Sequence, residues 1–187
     1  ETKIEPIISS VKIGDQEWQS KNLDVDRFRN GDLIPHARTD EEWKSAGEKG
    51  EPAWCYYDNN PLNEQKYGKL YNWYAVNDTR GLAPNGWHVS SDAEWSDLTD
   101  FLGGEMYAGT KLKTTYGWND NYKGTNETGF GALPGGVRLS TGFENVGVDG
   151  NWWTSKEYTA VNAWSRYING EDVINENENK LYGLSVR

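Results

Sequence analysis

The side chains able to do chemistry are few, and they stand apart along the chain. His88, in Gly86-Trp87-His88, offers the imidazole of a metal ligand or general base. The other histidine, His36, lies far off in sequence, so a structural His88 bonding a loop carbonyl is the favoured reading. Nucleophilic catalysis needs a nucleophile beside an oriented base, and neither Ser90 nor Ser91 sits in a recognised signature. Cys55 is the single cysteine and has no internal disulfide partner, so a packed, inert thiol is expected. Asn77-Asp78-Thr79 and Asn126-Glu127-Thr128 satisfy the glycosylation sequon, although both also read as turn or cap segments.

Recognition is better served than catalysis. Tyr158, Asn162, Trp164, Ser165, Tyr167, Asn169, Glu171, Asp172, Asn175, Asn177 and Asn179 crowd the closing stretch. Tyrosine and tryptophan give large rigid contacts, and asparagine and serine give adaptable hydrogen bonds. The competing reading keeps Trp164 and Tyr167 in the core and leaves the Asn/Glu run as a plain exposed hairpin. Just upstream, Trp152 and Trp153 are adjacent. Neighbouring strand residues point to opposite faces, so one is expected to pack inward and the other to reach a second layer or the surface.

The elements that must position these residues are mixed. Val11 to Trp18 alternates around Gly14-Asp15, as a hairpin does. Thr39-Asp40-Glu41-Glu42 has capping-box spacing, with Gly47 placed to end a short helix. Leu70, Trp73, Tyr74 and Ala75 predict a packed helix over Tyr67 to Val76. Ser91-Asp92-Ala93-Glu94 is a second capping box, with Trp95, Leu98 and Leu102 on one stripe and Gly103-Gly104 as the stop. Beyond Gly104 the glycines crowd, and short strands joined by structured loops are expected. Residues 1–10 read as a leading tail or linker, and 11–187 as one domain.

Composition narrows the class further. With 187 residues the chain suits a single domain. Mean hydropathy is −0.89, yet 10 Trp and 11 Tyr supply a core small in residue count and large in area. The net charge of −10, with 19 scattered basic residues, argues against nucleic acid or an anionic membrane as partner. No apolar run approaches the roughly 20 residues of a membrane-spanning helix. The sequence starts at Glu1 with no Met or leader, which fits a processed mature form or an excised segment.

Several motifs together resemble a known family. They are Ile13-Gly14-Asp15-Gln16-Glu17-Trp18 with Lys21-Asn22-Leu23, Tyr67 to Ala75, Pro84-Asn85-Gly86-Trp87-His88-Val89-Ser90, and Asp92-Ala93-Glu94-Trp95. Thr125 to Gly136, Trp152-Trp153-Thr154-Ser155 and Gly183-Leu184-Ser185-Val186-Arg187 follow in order. This set is similar to the Fibrobacter succinogenes major paralogous domain of surface and secreted proteins of Bacteroidota, including lipoproteins. The resemblance implies an α+β, C-type-lectin-like fold, with two helices packed on a small twisted antiparallel sheet and long Gly-rich loops. It also implies an extracellular or cell-surface location. The family commonly carries Cys where Ala83 stands and another after the closing Val-Arg, where this sequence stops. A bridge over so long a loop contributes about 3–5 kcal/mol, so the aromatic core is expected to hold without it.

The resemblance also sets the cofactor and partner expectations. Lectin-type calcium sites use Glu-Pro-Asn or Gln-Pro-Asp triplets with a later Trp-Asn-Asp. Glu51-Pro52-Ala53 lacks the amide, and Trp118-Asn119-Asp120 has no such triplet suitably upstream, so calcium is a minor option and no cofactor is expected. Glu171, Asp172, Glu176 and Glu178 read by default as a solvated acidic face, with weak cation binding as the alternative. Sulfatase-modifying enzymes share the lectin-like architecture but oxidise through paired cysteines, and this chain has one. In some relatives Asn-Ala-Trp followed by an Asn-rich stretch is the variable segment of diversity-generating retroelements. Asn162-Ala163-Trp164 and Asn175 to Lys180 keep that pattern. A non-catalytic module binding a protein or glycan is therefore expected, and a structural or adhesive domain without a small ligand is the alternative.

Overall fold

The computed structural model describes residues 8–119 and 122–187. Most of the expected leading tail, residues 1–7, lies outside them, and Ser10 already opens the first strand. Strands β1 (Ser10–Ile13) and β2 (Gln16–Gln19) form the expected hairpin, with Val11 opposite Trp18. Helix α1 (Asp40–Lys49) is capped by the Thr39 hydroxyl, which accepts from Glu42 N, and it ends at Gly50 rather than Gly47. Helix α2 (Glu64–Tyr67), α3 (Trp73–Val76) and α4 (Asp92–Phe101) follow, interleaved with β3 (Trp54–Cys55) and β4 (Leu70–Tyr71). Helix α5 (Glu105–Leu112), hairpin β5 (Val137–Leu139) and β6 (Gly142–Glu144), and strands β7 (Gly150–Glu157), β8 (Asn162–Ile168) and β9 (Val173–Asn179) complete the order.

The architecture is α+β, with small antiparallel sheets and few helices. Strands β7, β8 and β9 form an antiparallel meander. The closing segment Gly183 to Arg187 joins this meander to the rest. Trp153 N donates to Ser185 O at 3.0 Å, and Ser185 N donates to Asn151 O at 3.0 Å. On its other side Tyr71 N donates to Leu184 O at 2.9 Å and Leu184 N donates back at 3.1 Å, so β4 is its second neighbour.

The tryptophan pair follows the strand alternation, and its second member reaches a second buried layer, not the surface. Trp152 packs with Trp18, Trp95 and Phe130 under α4, whereas Trp153 packs with Tyr71, Trp73, Leu184 and Val186. Both are fully buried. Each indole N–H is satisfied, by Asn22 Oδ1 at 2.8 Å for Trp152 and by Tyr71 O at 2.8 Å for Trp153. Buried indoles need such partners.

The capping box of α4 is complete, and Trp95, Leu98 and Leu102 are buried as the stripe requires. The helix expected over Tyr67 to Val76 does not form. Gly68 turns the chain at φ 73°, where a side chain would meet Leu23 O and the Asn22 side chain. Leu70 and Tyr71 then pair with Cys55 and Trp54. Beyond Tyr67, which closes α2, only Trp73–Val76 is helical, started by Asn72, whose buried side chain also accepts from Ala53 N and donates to Glu51 O. Helix α5 falls where only strands and loops were expected, and it contains Gly109. That glycine is there for close approach, since a Cβ would lie 2.6 Å from Glu171 O and 2.7 Å from Asp172 O.

Glycine to alanine inside an exposed helix ordinarily gains roughly 1 kcal/mol. At Gly109 the sign reverses, because the methyl pushes α5 off the turn before β9. Gly109→Ala is expected to lower stability by about 1–3 kcal/mol in urea unfolding. A midpoint equal to or above that of the parent would show that helix and turn are not tightly apposed.

Candidate functional site

The residues expected to be inert are placed accordingly, with one unexpected partner. Cys55 is buried, and burial pushes its thiol up to about 12, away from the nucleophilic thiolate. Ser90 Oγ accepts from Trp95 Nε1 at 2.9 Å, and Ser91 Oγ donates to Glu94 Oε2 at 2.8 Å. His88 meets a carboxylate, not a loop carbonyl: its Nε2 lies 2.6 Å from Glu94 Oε1. Burial acts to raise the Glu94 carboxyl, but Ser91 N–H, Ser91 O–H and His88 hold it below the ordinary range. The pair borders a cleft of about 540 Å³ with Gln16, Trp87 and Arg187 along its wall.

The sequons serve as turns. Asn77 ends α3, and Asn126, at φ 51°, accepts from Gly131 N. Trp118 is a core residue whose Nε1 donates to Ala132 O at 3.0 Å. Asp120 of the Trp-Asn-Asp triplet lies outside the described residues. Among the described residues no group of three His, Cys, Asp or Glu is placed to hold a metal.

The eleven closing residues separate by strand register. Asn162 stands opposite Asn179, Trp164 opposite Asn177, and Arg166 opposite Asn175, so these share one face of the meander. Tyr158 joins them, its ring 4.6 Å from that of Trp164 at 62°. Asn162 Nδ2 donates to Asn177 Oδ1 at 2.8 Å. Tyr158 is 51% exposed, and Trp164 is half-buried. Ser165 does not belong to this surface. It alternates to the other face opposite Glu176 and beside Trp153, and it is buried.

Tyr167 also lies on the other face. Its hydroxyl and Asn169 Nδ2 both reach Asp149 Oδ1 at 3.1 Å. Burial, then Asp149, pushes the Tyr167 phenol up to about 12. Glu171 and Asp172 sit in the β8–β9 turn, against α5. The ring-and-amide face therefore gathers Tyr158, Asn162, Trp164, Asn175, Asn177 and Asn179, and the remaining five lie elsewhere.

Two supports and one contact residue escaped the sequence reading. Val161 is 63% exposed beside Tyr158 in the β7–β8 turn, where an apolar residue among Thr159 and Ala160 serves no core and was the available signal. Lys180, buried above the Trp73 ring at 4.8 Å, donates to Glu157 Oε1 at 2.6 Å and Ala160 O at 2.9 Å, and so pins that turn. Arg166, also buried, binds Asp92 Oδ1 at 2.7 Å and Glu105 Oε1 at 3.4 Å, tying β8 to the starts of α4 and α5. A second open groove of about 780 Å³, with exposed Leu62 and Tyr116 and polar Lys21, Glu64 and Asn126, was likewise unforeseen.

Residues 11–187 match the family model described as the Fibrobacter succinogenes major domain. No curated protein and no solved structure matches the chain. Among the described residues no helix is long and apolar enough to cross a membrane.

Opposite the amide face, Glu176 and Glu178 share the reverse side of β9. Burial, then the Glu176 charge, raises the Glu178 carboxyl above its ordinary 4.5. A raised acid binds more protons folded than unfolded, so its contribution to stability falls as pH rises through the carboxylate range. Glu178→Gln should therefore melt higher than the parent near neutral pH, with the gain vanishing by about pH 3.5, where both forms are neutral. The same change at exposed Glu171 controls for net charge. A gain of equal size at both pH values would remove the electrostatic explanation.

Proposed function

The chain belongs to the Fibrobacter succinogenes major domain family, and from that premise we propose that it is a non-catalytic binding module. Its ligand is a protein or glycan met outside the cell or at the bacterial surface, and its recognition face is the one bearing Tyr158, Trp164 and the asparagine row. The observation that carries this reading is the Tyr158–Trp164 ring pair, held beside exposed Val161 on a turn that Lys180 fixes. Thr159 Oγ1 accepts from Val161 N at 3.3 Å and from Asn162 N at 3.0 Å, which holds the same turn from within. Preorganised rings lose little freedom on binding, and such anchors dominate interface energetics.

We read the fold as C-type-lectin-like. Supporting this, the two ends of the domain meet, with Leu23 N donating to Val186 O at 2.9 Å and Arg187 reaching Gln19 O at 2.9 Å. The Asn-rich pattern of a retroelement-diversified segment falls on residues 175–179, exposed or half-buried on β9, where substitution costs the core nothing. Recognition here needs no calcium or other cofactor. A net charge of −10 favours neither nucleic acid nor anionic lipid.

Glycan and protein arrays probed with the parent, Tyr158→Ala and Val161→Asp test the proposal. A ligand of this face should lose about 2 kcal/mol, roughly 30-fold in affinity, with each change. Melting temperature and far-ultraviolet circular dichroism should stay put, since both side chains are exposed and neither supports the core. Array ligands bound equally by all three proteins would place recognition elsewhere.

A further inference from the structure

Strand β9 is the last strand of the meander, and among the described residues its outer edge carries no partner strand. Lys180 N donates to Val161 O at 2.9 Å, one step beyond the Asn162–Asn179 pair. In an antiparallel strand the N–H and C=O of one residue point to the same side, and successive residues alternate. Residues 174, 176, 178 and 180 therefore turn their main-chain groups toward β8, and 173, 175, 177 and 179 turn theirs outward. Helix α5 packs by the Val173 end, and Asn179 O accepts from Tyr182 N at 2.8 Å. The open stretch is Asn175 to Glu178, with the amides and carbonyls of Asn175 and Asn177 presented to solvent.

The side chains along this stretch specify who can pair with it. Glu176 and Glu178 point to one face and Asn175 and Asn177 to the other. No cation partners either glutamate among the described residues, and the two charges oppose one another. A second copy of β9 would bring like charges onto the shared edge, which disfavours self-pairing. An incoming strand with ammonium or guanidinium groups on the glutamate face relieves the repulsion and fills the main-chain bonds together.

We infer that β9 is a docking edge for an extended basic peptide, added antiparallel or parallel as a fourth strand of the meander. Main-chain bonds to Asn175 and Asn177 supply the affinity, and alternate lysines or arginines facing Glu176 and Glu178 supply the selection. The partner is thus a protein segment of alternating basic pattern rather than a glycan. This extends the reading of the closing hairpin as the recognition element, and rests on it, but it uses the free edge instead of the ring pair.

The test uses the whole chain and two acetylated seven-residue peptides, one alternating lysine with threonine and one alternating glutamate with threonine. Amide hydrogen exchange is followed by residue. The lysine peptide should slow exchange at Asn175 and Asn177 by about tenfold or more at saturation, and leave the β8-bonded amides of Glu176 and Glu178 as they were. The glutamate peptide should do neither. Glu176→Lys with Glu178→Lys should reverse the preference. Asn177→Pro removes an outward donor without breaking a main-chain bond to β8, and it gives up only the surface amide contact with Asn162, so the fold is retained while docking is lost.

Tyr158→Ala should leave peptide docking intact, which separates this edge from the ring face. Failure of the lysine peptide to bind, binding without slowing at Asn175 and Asn177, or equal binding to Asn177→Pro would each overturn the proposal. Retention of an array ligand that Tyr158→Ala abolishes would then leave the ring-face reading standing alone.

Discussion

The buried guanidinium of Arg187 is the interaction on which the rest of the structure hangs. Among the described residues it has no carboxylate partner. Instead its nitrogens donate to Gln19 O at 2.9 Å, Gly131 O at 2.9 Å, Asn22 Oδ1 at 3.1 Å and Phe130 O, above the Phe130 ring at 4.2 Å. Burial pulls its pKa down to about 9, and four oriented acceptors hold the charge at neutral pH. An unpaired buried cation is costly unless its donors are satisfied. The segment ending in Arg187 can therefore lie nowhere else, and it is the strand shared by β7 and β4. The first hairpin and the loop before β5 are tied together by one residue's hydrogen bonds, and the closing meander joins them through Ser185 two residues earlier.

That constraint explains how so polar a chain makes a stiff support. With Gly183 to Arg187 in place, β7 is hemmed on one side by Ser185 and on the other by β8, and Trp152 and Trp153 fill separate cores above and below it. Their Nε1 partners, Asn22 and Tyr71, belong to the segments that the closing strand already organises. Asn22 binds both Trp152 and Arg187, so core and closing strand share a hub. Arg166 and Lys180 then carry rigidity outward, one to α4 and α5, the other to the β7–β8 turn. The ring pair thus lies at the end of a chain of buried polar contacts, in which only Arg166 Nε is left without a partner among those the Arg166 and Lys180 side chains present.

Features written in local chemistry were legible before the fold. The Ser91–Glu94 box needs only four neighbouring residues, and the Trp152–Trp153 split needs only strand alternation. Features decided by distant partners were not. Tyr67 to Val76 has helical spacing, but its Leu70 and Tyr71 gain more by bridging β3 and the closing strand. Gly109 reads as a loop residue until the Glu171 carbonyl is known to press on it. Ser165 shares the composition of its neighbours, and only register sends it inward beside Trp153. Composition drew attention to the closing region, and strand pairing decides which of its residues share a face.

The run Asn175-Glu176-Asn177-Glu178-Asn179 shows why register matters more than content here. In a loop, those five residues would make one mixed polar surface. On a strand with a period of two they separate cleanly, amides with Trp164 and Tyr158, carboxylates with Tyr167 on the reverse. The neutral face carries the rings and the hydrogen-bonding amides, and the reverse face carries the two carboxylates. A shift of one residue in the β8–β9 pairing would exchange the two and bring Glu176 and Glu178 onto the ring face. Val173 of β9, buried in the core opposite Ile168, forbids that shift, because a slip would turn it out to the other face. The scaffold's apolar residues thus determine which polar residues are shown together, and the chemistry of the surface is set from beneath it.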